Sequence, residues 1–128
     1  MSRIDRLMKT QNPWPADAGL ETVMIFHEGL DLPNFAAFTL LETDAGRAAL
    51  TRYFLQYAGL ARAAGTGLVL DTPTWRAGQT WGAVMGLDPA RVRQINLEAV
   101  AFAQKLRATQ ETDAMPILLN GVIGPSGD

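Results

Sequence analysis

The chain contains no cysteine and a single histidine, His27. Without cysteine it has no disulfide framework and no thiolate metal site of its own. With one histidine it has no imidazole cluster either, so no metal is expected to bind this chain. Neither sign of charge dominates: 11 Lys and Arg stand against 13 Asp and Glu, for a formal charge of -2. A nucleic-acid footprint is strongly basic, and a membrane-surface segment is polybasic; this chain is neither. Long hydrophobic runs are also missing. The greasiest stretch, Phe35 to Leu41, falls far below the ~20 residues that span a bilayer. Met1 to Arg6 carries basic residues with no apolar segment behind them, which is not the pattern of a signal peptide. The expected location is the cytoplasm.

What is present is enough for one folded domain. Hydrophobic residues make up 48% of the 128 and charged residues 19%, a balance that favours a packed core over disorder. Residues 1–12 are polar and read as a flexible tail, followed by the domain over 13–128. Pro13 and Pro15 flank Trp14 and make that segment extended but unsuited to a central strand. Leu20 to Glu28 reads as a short helix stopped at Gly29, and Asp31 to Asn34 as a turn. A long helix is expected from Asp44 to Ala64, capped by Thr43 or Asp44. Its apolar face is Leu50, Phe54, Tyr57, Ala58 and Ala61, and Gly65 ends it. The apolar run Gly67 to Thr72 suits a parallel strand buried on both faces. A loop with one helical turn near Trp81 to Met85 follows. Asp88-Pro89 then opens a second long helix with the stripe Val92, Ile95, Ala99, Phe102 and Leu106. Met115 to Asn120 is the next buried-type strand.

Strands alternating with long helices imply an α/β fold with a parallel sheet, in which function gathers at the C-terminal ends of the strands. Three such ends carry polar groups. Asp17 and Glu21 belong to the first, Asp71, Thr72 and Thr74 to the second, and Asn120 with its following glycines to the third. A rim of this kind suits a zwitterion: carboxylates take the ammonium, and backbone N–H groups near Gly121 and Gly124 take the carboxylate. Plainer roles compete. Asp17 and Glu21 also fit the start of a helix, where the dipole favours them, and the threonines fit ordinary strand ends. The glycines at 121, 124 and 127 lack the GxGxxG spacing of a dinucleotide site. Ser126 has no nucleophile-elbow context, and a lone histidine is more often structural than catalytic. Trp75 and Trp81 could wall a pocket for a methylated cation, or simply bury area.

These strand ends carry a resemblance. Asp17-Ala18-Gly19-Leu20-Glu21-Thr22 is similar to the Asp-Gly-Gly-Leu-Glu-Thr motif that ends the first strand of the homocysteine S-methyltransferases. Phe26 to Pro33, then Phe35-Ala36-Ala37-Phe38, resembles the segment that follows it in one bacterial branch of that family. Leu70-Asp71-Thr72-Pro73-Thr74-Trp75-Arg76-Ala77 resembles the family's second strand end, Glu-Thr-x-Thr-Phe/Trp. Asn120 to Asp128 resembles the third, Gly-x-x-Gly-Pro-x-Gly-Asp. The four matches occur in the family's order and cover nearly the whole chain.

The resemblance implies a (β/α)₈ TIM barrel, which needs roughly 250 residues; this chain would supply about its first three βα units. It implies transfer of a methyl group to the homocysteine thiol to give methionine, at a zinc held by three cysteines on later strands. The partners implied are homocysteine and a methyl donor. By position, Asp17 would meet the substrate amino group, and Ala18 replaces a glycine whose backbone approaches the substrate. Glu21 would support the strand end, Thr72 and Thr74 would line the pocket, and Trp75 would stand near the donor. Asn120 and Gly121 complete the candidate substrate-binding set. No catalytic residue is assigned, because the zinc cysteines are missing, and the chain is expected to be inactive alone. The alternative is a non-catalytic module that binds an amino acid or a partner. A three-stranded fragment would leave open sheet edges, so marginal stability, self-association or completion by the missing C-terminal half of the barrel is expected.

Overall fold

A computed structural model describes residues 1–127 of the chain. It is an α/β structure with seven named regular elements besides two short 3-10 segments. In order these are α1 (Arg3–Lys9), α2 (Leu20–Phe26), α3 (Asp44–Ala64), β1 (Leu68–Asp71), α4 (Gln79–Val84), α5 (Pro89–Gln110) and β2 (Ile117–Asn120). The two long helices begin and end where local chemistry directs. Thr43 Oγ1 accepts from the Gly46 N–H at 2.9 Å at the start of α3, and Gly65 closes it in the left-handed region with φ 70°. Asp88 accepts from the Arg91 N–H at 2.8 Å, with Pro89 in the first turn of α5.

The sheet is parallel. β1 pairs with β2 in the register Leu68↔Ile117 to Asp71↔Asn120, and α5 makes the crossover between them. On its other side β1 meets the Pro15-Ala16 segment. There the Val69 N–H donates to the Pro15 carbonyl at 2.9 Å, and Ala16 forms a single parallel bridge to Val69. The first strand is therefore reduced to one bridge. Pro13 and Pro15 bring no N–H to a ladder, which limits how far pairing extends. Trp14 lies flat against Gly67, where a Cβ would stand 2.5 Å from its ring.

The core gathers Leu50, Tyr53, Phe54, Ala58 and Ala61 of α3 with Ile95, Ala99 and Ala103 of α5, and Leu68, Leu70 and Ile117 of the strands. Burial of this apolar surface is the main favourable term in folding. β1 departs from the expected strand buried on both faces. Leu68 and Leu70 are buried, whereas Val69 and Asp71 are only partly covered. On α5, Ala103 is buried and Phe102 only partly so.

One segment differs from the sequence expectation. Residues 1–12, expected to be a flexible tail, contain α1. Ser2 and Asp5 form a capping box at its start. Arg3 makes a bidentate pair with Glu111 at 2.7 and 2.6 Å, and Arg6 donates to the Asp113 carbonyl at 2.8 Å. These partners lie about a hundred residues away in the chain, which is why local polarity does not reveal them. The greasy stretch after Pro33 forms 3-10 segments, Pro33–Phe35 and Ala37–Glu42, that pack Phe38, Leu40 and Leu41 into the core. Among the described residues, no helix is long and apolar enough to cross a membrane.

Candidate site at the strand ends

The pairing of β1 with β2, and the bridge at Ala16, place the three polar strand ends side by side. Between them lies a cavity of about 290 Å³. Asp17, Ala18, Glu21, Thr72, Thr74 and Trp75 all line it, joined by Asp71 and Val122. Asn120 reaches the site indirectly: its Nδ2 donates to Asp71 Oδ1 at 2.9 Å. Gly121 does not line the cavity; Val122 takes the position expected of it.

Asp17 is the most unusual group of the set. Its Oδ1 is buried and has no hydrogen-bond partner among the described residues. Its Oδ2 lies 2.9 Å from the Tyr53 hydroxyl. Burial pushes the Asp17 carboxyl up to about 6; the Tyr53 hydrogen bond opposes this, and the Asp71 carboxyl adds to it through its charge and through a hydrogen bond that only a protonated carboxyl can make. Tyr53 in turn is shifted upward, by burial first and then by its neighbours Tyr57 and Asp17. The backbone of Ala18 is held by the same two tyrosines. Tyr53 donates to its carbonyl at 2.8 Å and Tyr57 at 3.2 Å, while the Ala18 N–H faces the Tyr57 hydroxyl at 3.4 Å.

The two carboxylates of the first strand end have different surroundings. Gly19 takes the N-cap of α2 in the left-handed region, φ 71°, and Glu21 sits in that helix's first turn. The helix dipole accounts for Glu21. Asp17 precedes the cap, outside the helix, and the dipole does not account for its burial.

Thr72 and Thr74 line the cavity, yet their hydroxyl protons are already engaged. The two hydroxyl oxygens are 2.7 Å apart. Thr74 donates to the Val122 carbonyl at 2.7 Å, and the Val122 N–H donates to Thr72 Oγ1 at 3.1 Å. One direction satisfies the ring: Thr72 donates to Thr74, and Thr74 to Val122. The threonines thus tie the chain after β2 to the chain after β1, and retain only acceptor capacity toward a ligand.

Trp75 and Trp81 do not form an empty aromatic cage. The Arg76 guanidinium carbon lies 4.1 Å from the Trp75 ring centroid and 3.7 Å from that of Trp81. The cation expected from a ligand is supplied by the chain itself. Gly124 packs under the same loop, where a Cβ would fall 2.0 Å from the Trp75 carbonyl oxygen. Its role is close approach, since only a residue without a side chain fits there.

Sequence reasoning missed Tyr53. Its place on α3 follows from the helix, but its hydroxyl meets Asp17 across 36 positions of chain, and no local pattern announces such a contact. A tyrosine rather than phenylalanine on a buried helix face was the available signal, because a buried phenol usually has a polar partner.

The residues present do not fit the zinc that the resemblance implies. There is no cysteine, His27 is exposed at the end of α2, and no cluster of three or more potential ligand residues occurs among the described residues. Compared with known proteins, the chain matches no family model, no curated protein and no solved structure; the site is defined by its own geometry.

Proposed function

We propose that the strand-end cavity binds the ammonium group of an amino acid, with homocysteine the substrate suggested by the motifs, and that the chain forms the amino-acid-holding portion of a homocysteine S-methyltransferase-type (β/α)₈ barrel acting in the cytoplasm. One observation carries the reading. Asp17 lines a cavity and keeps a buried carboxylate oxygen without a partner. A buried acceptor left unpaired is costly, and a ligand N–H removes that cost. An ammonium does more, since it also offsets the charge that burial and Asp71 make unfavourable. The volume suits a small ligand.

The chain's own residues would bind and orient the amino acid and no more. In the reaction the motifs resemble, a zinc held by three cysteines would supply the activation of the homocysteine thiol. This chain has no cysteine to hold that metal. The chain alone is expected to bind without turnover.

A second reading, a non-catalytic amino-acid-binding module, draws on the same absence of thiolates. Titration calorimetry with homocysteine and methionine tests both readings. Binding that is lost in Asp17→Ala supports the site. No binding by the folded chain overturns both. Methyl transfer appearing only after a cysteine-bearing polypeptide is added would favour the barrel portion over the module.

A further inference from the structure

Tyr53 sits at the back of the site with one hydroxyl and two acceptors. Its oxygen is 2.9 Å from Asp17 Oδ2 and 2.8 Å from the Ala18 carbonyl, and the residue is 2% exposed. A phenol has a single proton. It cannot donate fully to both oxygens.

We propose that Tyr53 is a positioning residue that switches its proton between two partners, so that in mildly acidic solution the empty site keeps a proton on Asp17 and gives it up when a cationic amino group binds. In the empty site Asp17 donates to Tyr53, and Tyr53 donates to the Ala18 carbonyl. Both contacts of the Tyr53 oxygen are then satisfied. When a ligand ammonium arrives, Asp17 ionises and Tyr53 turns its proton toward the new carboxylate. The Ala18 carbonyl is not abandoned, because the Tyr57 hydroxyl stands 3.2 Å away. No bond other than O–H is broken, and the released proton goes to solvent.

The groups facing Asp17 favour this order of events. α3 contributes the neutral hydroxyls of Tyr53 and Tyr57, the end of β1 contributes Asp71, and the first turn of α2 contributes Glu21. Asn120, at the end of β2, donates to Asp71. Among the described residues no Lys or Arg lines the cavity, and Arg76 is held on the two tryptophan rings. Before a ligand arrives, the lining offers the carboxylate hydroxyls and further acids, and no cation. The upward shift of Asp17, driven by its burial, agrees with this.

The identity of the cation rests on the amino-acid reading above; the shared proton does not. Carbon-13 NMR of the ligand-free protein tests the latter. The Asp17 carboxyl and the Tyr53 ring carbon bearing the hydroxyl are expected to titrate together, with a midpoint near 6. In Tyr53→Phe the Asp17 midpoint is expected to rise by about one pH unit, the equivalent of one lost hydrogen bond to a charged group. A silent Tyr53 signal, or an unmoved Asp17 midpoint in a folded variant, overturns the proposal. If the variant does not fold, the Tyr53 signal of the unaltered protein decides alone. Calorimetry with methionine, in two buffers of different ionisation enthalpy, tests the release. Protons are expected to leave on binding at pH 5.5, with the release fading by pH 7.5 and absent in Asp17→Asn. Binding without release overturns the proposal. Absence of binding overturns the amino-acid reading and the release together, and the NMR result still decides the role of Tyr53.

Discussion

The two ends of the sheet treat a carboxylate in opposite ways. At the N-terminal end of β2, Glu111 accepts from the Arg3 guanidinium and from the Ile117 N–H at 2.7 Å. These donors hold its carboxyl down to about 2, the Arg3 hydrogen bond contributing most. At the C-terminal end, Asp17 has one hydroxyl, an acidic neighbour and an unpaired oxygen, and burial raises it to about 6. The difference separates structure from function. Glu111 is complete within the chain and ties α1 to the start of β2. Asp17 is left with an unpaired buried oxygen, the position the proposed ligand would fill.

That contrast can be broken most directly at Asp17. Asp17→Ala is expected to reduce amino-acid affinity by about 2–5 kcal/mol, the range for removing one side of a buried charged pair, while leaving the fold intact. Calorimetry and circular dichroism on the same sample would show whether the two effects separate. The reverse is expected at Glu111. Glu111→Ala leaves the Ile117 N–H without its partner and removes one of the two ties on α1, a loss of about 1–3 kcal/mol in urea unfolding with amino-acid binding retained. If binding falls and stability holds, the division between the ends is wrong.

The pH dependence sharpens the same comparison, with opposite signs. The folded Glu111 lies below its ordinary value of 4.5, so its stabilisation is present above pH 4.5 and is lost as pH falls through about 2. The folded Asp17 lies above its ordinary value of 3.8. Its neutral form is favoured by folding, so it costs stability progressively as pH rises from about 4 through 6. Relative to Asp17→Asn, the unaltered protein is therefore expected to lose stability over that window, measured as the change in the urea midpoint. The smallest effect is expected from Arg3→Ala. The Arg3 side chain is 43% exposed, and solvent screens a pair so placed. That variant should raise the Glu111 midpoint while barely moving the unfolding curve.

Much of the architecture is written in short-range chemistry. Thr43, Gly65 and the Asp88-Pro89 pair mark the long helices because capping and left-handed closure depend on one or two neighbouring residues. The apolar runs before Asp71 and Asn120 mark the strands, and the parallel register then brings Asp17, Thr72, Thr74 and Trp75 to one cavity. What escapes the sequence is long-range. The α1 helix needs Glu111 and Asp113, Asp17 needs Tyr53, and the tryptophan pair needs to be known to hold Arg76. The roles of Thr72 and Thr74 also change for this reason, since Val122, which occupies their hydroxyls, lies about fifty positions away.

The Pro15-Ala16 segment has a mechanical consequence. It is joined to the sheet through the Val69–Pro15 hydrogen bond and one bridge, while Tyr53 and Tyr57 hold the Ala18 end from α3. A segment with so few ladder bonds opens at lower free energy than the β1–β2 pair beside it. The carboxylate that completes the site is thus carried on a hinged flap latched by two phenols. The Val69 amide, which donates to the Pro15 carbonyl, reports whether that flap is shut.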